Sequence, residues 1–137
     1  MQPREKKEMS GWLDKANFSE ECADMLIQKT YYTQSVHCTY YRVIQFFSHL
    51  LFVKEKGNNE KDYYPVPQNQ PFHITILKKI ENMVPNPKDK RIIKNTFKDL
   101  KEFRIKADYR PELISYNEAL KAISKADRII NITENIK

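Results

Sequence analysis

Six side chains in this 137-residue sequence have the types and spacing for acid–base or phosphate chemistry: Arg104, Asp108, Tyr109, His37, Arg42 and His49. Histidine exchanges protons near neutral pH, and arginine offsets negative charge building on a phosphate. The two types held close together therefore suit phosphodiester cleavage or phosphate binding. Arg42 and His49 lie seven residues apart, which on a helix puts them on one stripe two turns apart. Arg104 and Asp108, four apart, share a helical face and are equally suited to an ion pair that braces the chain. His37, one turn before Tyr41, is placed to meet Asp108 or Tyr109 in a polar cluster, or to be a hydrogen-bonded core histidine. Tyr31, Tyr32, Tyr63 and Tyr64 sit near expected loop ends, where they either stack bases of single-stranded RNA or anchor the loops by packing. Cys22 and Cys38 lack the spacing of a zinc or redox motif, so two buried, reduced thiols are expected, with no metal and no cofactor.

The 24 Lys and Arg against 18 Asp and Glu give a formal charge of +6, which favours an anionic partner such as RNA, a nucleotide or an acidic protein. A solvated face is the commoner origin of such an excess, and many of the lysines are scattered over 54–61 and 78–106. Apolar residues at 40% with charged residues at 31% fit an ordinary globular protein and exclude a disordered chain. The polar stretch 1–9 excludes a secretory signal, which implies a cytoplasmic protein whose sequons at Asn17 and Asn131 go unused. The most apolar stretch, 36–53, is interrupted by His37, Arg42, Gln45 and His49, so no membrane span is expected.

The elements that must position these residues are helices. Only Gly11 and Gly57 are glycines, and the periodic segments hold few prolines. Residues 1–16 are expected to be a flexible N-terminal segment and 17–137 a single helical domain. A capping box at Asn17 and Glu20 predicts a first helix over 18–29, with a break near 31–33. A second helix over 34–54 gathers Val36, Tyr40, Val43, Ile44, Phe47 and Leu51 on one apolar face, with Ser35, Cys38, Arg42 and His49 opposite. Phe46 and Val53 flank that polar stripe, so several neighbours or a second subunit should cover this helix. The polar segment 55–70, with Gly57, Pro65 and Pro67, is expected to be a mobile or functional loop. Pro71 opens a third helix carrying Phe72, Ile76, Ile80 and Met83. Asn86 and Pro87 open a fourth, with Ile93, Phe97, Leu100, Arg104 and Ala107 on one stripe until Pro111. Ser115 with Glu118 caps a fifth, which repeats Ala119, Ile123, Ala126 and Ile130.

Three stretches together resemble the HEPN family. Ser35-Val-His-Cys-Thr-Tyr-Tyr41 is similar to the family's small-residue, His and Tyr-Tyr signature in its second helix. His73 stands where the family often has a histidine after its long loop. Arg104-Ile-Lys-Ala-Asp-Tyr109 looks like the R-x-x-A-D-Y motif that ends the fourth helix, followed by Ser115-Tyr-Asn-Glu-Ala119. The resemblance covers roughly 18–132 and implies an up-and-down bundle of about five helices. It also implies a homodimer, found beside a minimal nucleotidyltransferase or within toxin–antitoxin, defence and RNA-processing systems. Catalytic members are metal-independent endoribonucleases with an R-x4-6-H motif and a composite site at the dimer interface. Here Arg104 is kept, but Asp108 and Tyr109 stand where the histidine is expected, and both replace it poorly as a proton shuttle near neutral pH. That departure turns the expectation towards a non-catalytic or degenerate module that binds RNA, a nucleotide or a partner. The alternatives are a ribonuclease using Arg104 with Tyr109 or His37, or else Arg42 with His49, and a structural partner of a minimal nucleotidyltransferase.

Overall fold

The computed structural model describes residues 11–55, 59–60 and 63–136, and every regular element among them is a helix. They are α1 (Trp12–Gln28), α2 (Tyr32–Glu55), α3 (Phe72–Met83), α4 (Pro87–Tyr109) and α5 (Tyr116–Glu134). The chain is an all-α bundle in which each helix packs on the next, while α2 also touches α4 and α5. No described helix is long and apolar enough to cross a membrane.

The centre of the bundle is α2, which contacts all four other helices and holds no exposed residue from Cys38 to Leu51. Val36, Tyr40, Val43, Ile44, Phe47 and Leu51 are all buried as their spacing predicts, each contributing about 1.5–3 kcal/mol of transfer free energy. Phe46 is buried too, whereas Val53 is exposed. Ser35 departs from the expected polar stripe and is fully buried, together with Thr39 and Ser48. Their hydroxyls donate to Tyr32 O, Ser35 O and Ile44 O at 2.7, 2.9 and 2.9 Å, so the helix itself satisfies them and their small size lets neighbours approach closely.

The first helix begins well before the expected Phe18. Asn17 lies inside it, so the Asn17–Glu20 box does not form. The N-cap is Gly11, at φ 100, and the cap comes from far along the chain: Trp12 N donates to Glu60 Oε2 at 2.6 Å. The positive φ favours glycine at residue 11, and a Cβ there, 2.8 Å from Glu60 Oε1, would also push the capping carboxylate aside. Residues 12–16 of the segment expected to be flexible are thus helical, while 1–10 lie outside the described residues. The helix ends at Gln28, and Thr30 adopts φ 67 in the turn to α2.

The other caps form as their sequences dictate. Asn86 Oδ1 accepts from Lys88 N with Pro87 at the first position of α4. Ser115 and Glu118 form a reciprocal capping box on α5. The buried face of α5 differs in part from the expected stripe, for it holds Ala119, Ala122, Ala126, Ile129, Ile130 and Thr133, while Ile123 is only partly buried. Three alanines on this face leave room for the close approach of α2 and α4, the helices that α5 contacts.

The 55–70 segment touches the bundle at Tyr63, Pro65 and Val66, while Tyr64 and residues 67–70 are exposed. Pro65 and Val66 are buried, the Tyr63 ring meets Phe52 edge-on at 5.2 Å, and Lys79 Nζ donates to Pro65 O at 2.6 Å. Residues 56–58 and 61–62 lie outside the described residues.

Candidate functional site

The first three turns of α2, the last two turns of α4 and the first turn of α3 bring one polar cluster to the surface. His37, Tyr40 and Tyr41 share a face of α2 at three- and four-residue spacing, and the stripe of Ile93, Phe97 and Leu100 on α4 packs so that Arg104 arrives opposite them. His37 Nδ1 lies 3.0 and 3.1 Å from the two carboxylate oxygens of Asp108. Arg104 Nε stands 3.0 Å from Asp108 Oδ2, close enough for an ion pair although its N–H is not directed well enough for a hydrogen bond. Arg104 Nη2 donates to Tyr41 Oη at 3.1 Å. The guanidinium carbon lies 5.3, 5.7 and 5.3 Å from the ring centroids of Tyr40, Tyr41 and Tyr109.

This surrounding fixes the charge of the arginine. Burial works against it, but Tyr41, Tyr109, Asp108 and Tyr40 together outweigh burial and raise the guanidinium pKa above its usual value. Behind it, Tyr40 Oη and His73 Nδ1 are 2.9 Å apart. Burial, reinforced by Arg104 and Lys101, holds His73 below its ordinary value of 6.5, and burial raises the Tyr40 phenol. A neutral imidazole accepting the Tyr40 proton at Nδ1, with Nε2 carrying the ring proton, is the assignment that satisfies both groups. The side chain of His37 is 49% exposed, against 21% for Asp108 and 14% for Arg104, so of these three the imidazole is the most open to a ligand.

The structure therefore brings Arg104, Asp108, Tyr109 and His37 together, along with two residue classes that sequence reasoning undervalued. Tyr41 and Tyr40 are structural parts of the cluster, and their signal was the shared α2 face. His73 was legible only through the family pattern, and it reaches the site because α3 starts directly after the loop. Lys90, Lys94, Lys98 and Lys101 follow one another at intervals of four, four and three along a flank of α4 that leads to Arg104. Lys101 is near enough for its charge to lower His73.

Arg42 and His49 occupy different surroundings. The Arg42 guanidinium is 2.9 Å from Glu20 Oε2 and 2.7 Å from Asp127 Oδ1, tying α2 to α1 and α5. The ring neighbour of His49 is Phe46, at 6.2 Å. Of the loop tyrosines, Tyr32 packs edge-on against Tyr116 at 5.5 Å and Tyr63 against Phe52, whereas Tyr31 and Tyr64 are exposed. The cysteines are not the two buried thiols expected: Cys22 is exposed and Cys38 partly buried, and their sulfurs are neighbours. Among the described residues, no group of three or more His, Cys, Asp and Glu could hold a metal ion.

No protein-family model, curated protein or solved structure matches the chain at a significant level.

Proposed function

We propose that this chain is a HEPN-like, homodimeric module of the cytoplasm that binds an anionic partner, RNA or a nucleotide, at the Arg104 cluster. The observation that carries this is the placement of a fixed, partly buried arginine at the end of the α4 lysine stripe, beside an exposed histidine and the exposed ring of Tyr109. Asp108 and Tyr41 engage Nε and Nη2, and the guanidinium carries further N–H donors on Nη1 suited to a phosphate oxygen. The lysine flank supplies the non-specific attraction that keeps a polyanion in place, and Tyr109 offers a π-face on which a base can stack. Dimerisation finds support in the apolar side chains grouped at the α4–α5 corner: Tyr109, Leu113, Tyr116 and Leu120 are all exposed. A minimal nucleotidyltransferase, in a toxin–antitoxin or defence setting, is the partner protein the family pattern suggests.

A second function is favoured by one specific contact. Asp108 faces Nδ1 of His37, which is how a carboxylate orients an imidazole so that Nε2 can take or give a proton, and Arg104 stands beside it. In a metal-independent ribonuclease, Nε2 would accept the proton of a 2′-hydroxyl while Arg104 offsets charge on the scissile phosphate. The histidine missing from the α4 motif would then be supplied from α2.

One experiment separates the two. Labelled single-stranded and hairpin RNAs are incubated with the protein in excess EDTA, alongside Arg104→Met, His37→Asn and Arg42→Met, and both retention and cleavage are read. Retention without cleavage, lost in Arg104→Met, supports the binding module. Cleavage lost in both His37→Asn and Arg104→Met replaces it with the ribonuclease, and neither retention nor cleavage removes both. Light scattering on the same samples measures the dimer, and a monomer at micromolar concentration would contradict that part.

A further inference from the structure

The two cysteines, sixteen residues apart in sequence and on different helices, meet at the α1–α2 contact with their sulfurs 3.4 Å apart. These helices form the most extensive helix pair in the bundle. Buried alanines Ala16 and Ala23 on α1 bring it close to α2, so the sulfur contact is set by the packing of two long helices rather than by a flexible segment. A disulfide requires the sulfurs at about 2.05 Å, so closing the bond asks them to approach by little more than about 1 Å. The two thiols also differ in access. Cys22 is exposed and borders a shallow groove of about 360 Å³ lined by Phe18, Glu21, Met25, Leu26, Lys29 and Tyr31, whereas Cys38 is partly buried.

We propose that Cys22 and Cys38 are a thiol–disulfide exchange site that takes small-molecule disulfides, with Cys22 as the attacking thiol, Cys38 as the resolving thiol, and an α1–α2 staple as the product. The Cys22 thiolate attacks one sulfur of the incoming disulfide. The S–S bond of the reagent breaks, a Cys22 mixed disulfide forms, and one thiolate leaves. The Cys38 thiolate then attacks the Cys22 sulfur, forming the internal disulfide and expelling the second thiolate. Two electrons pass from the cysteine pair to the reagent, and the two cysteine protons end on the released thiols. Burial, then the neighbouring Cys22, push the Cys38 thiol up to about 12, which disfavours its attack on a reagent in solution. Once Cys22 carries the mixed disulfide, the neighbouring thiol's part of that shift is gone, and the electrophilic sulfur is already in contact.

Oxidised glutathione is the probe. Intact-mass spectrometry of the wild type should show loss of two hydrogens with no retained glutathione, reversed by dithiothreitol. Cys38→Ser, and independently Cys38→Ala, should stop at one glutathione per chain on Cys22, and Cys22→Ser should stay unmodified, with helicity by circular dichroism confirming that each variant is folded. The oxidised monomer should melt about 10 °C above the reduced one, the shift expected for closing a loop of this length. Persistent glutathionylation of the wild type, disulfide-linked dimers on a non-reducing gel, modification of Cys38 in Cys22→Ser, or an oxidised monomer that melts no higher than the reduced one would each overturn the proposal.

Discussion

Replacing Arg104 by methionine keeps a long apolar stem and removes every donor, so it isolates what the guanidinium contributes to joining α4 to α2. Three interactions are lost. The bond to Tyr41 Oη, at 3.1 Å and partly buried, is worth about 1 kcal/mol. The ion pair with Asp108 joins groups 14% and 21% exposed and nets about 1 kcal/mol after desolvation is set against attraction. Placement among the rings of Tyr40, Tyr41 and Tyr109 adds about 1 kcal/mol. These contacts share one group and do not add fully, so the expected loss is about 2–3 kcal/mol, a substantial part of the 5–15 kcal/mol roughly typical of a domain. Urea unfolding at neutral pH, followed by helical circular dichroism, measures it. A double-mutant cycle with Asp108→Asn should return a coupling of about 1 kcal/mol. A variant within about 0.5 kcal/mol of the wild type would show that Arg104 is a solvated side chain and would refute the reasoning.

The depressed pKa of His73 makes stability fall with acid. The unfolded chain takes up a proton at the ordinary value of 6.5 while the folded one resists it, so this contribution is complete above 6.5 and is lost as pH falls towards the folded value. Between about pH 7.5 and 5.5 the wild type should therefore lose more stability than His73→Gln, and equal slopes in urea titrations would remove His73 from the account. Glu60→Ala should cost about 1 kcal/mol and raise amide exchange in the first turn of α1, since the Trp12 N–H loses its acceptor. Phe47→Ala, at a site with no exposure, should cost about 3–5 kcal/mol by thermal or urea unfolding.

The parts of this fold that were legible in the sequence are those set by nearest neighbours. Asn86-Pro87 and Ser115 with Glu118 start helices through side chains and backbone donors within three residues, and the α2 apolar face is written in the spacing of Val36, Tyr40, Val43, Phe47 and Leu51. The start of α1 was not legible, because its cap is a carboxylate 48 residues away, and the local Asn17–Glu20 pattern pointed to the wrong place. Ser35 looked polar by type, but its hydroxyl bonds its own helix and so can be buried. The Arg104–Asp108 pair followed from its four-residue spacing, whereas its meeting with His37 depends on how α2 and α4 are docked, which no local pattern specifies. Arg42 and His49 matched a spacing, yet the Arg42 charge is spent on Glu20 and Asp127 from two other helices. The cysteine contact was hidden for the same reason, since it lies across two helices with no local motif.

The central claim is that a polyanion binds along the α4 flank and ends at Arg104. Fluorescence anisotropy with a labelled single-stranded RNA in EDTA, repeated over a salt series, tests it most directly. The account predicts that Arg104→Met weakens binding about tenfold and that Lys94→Gln and Lys98→Gln each reduce the salt slope by about one, with all three variants folded. Affinity and slope unchanged in all three, or no binding by the wild type even at low salt, would contradict it.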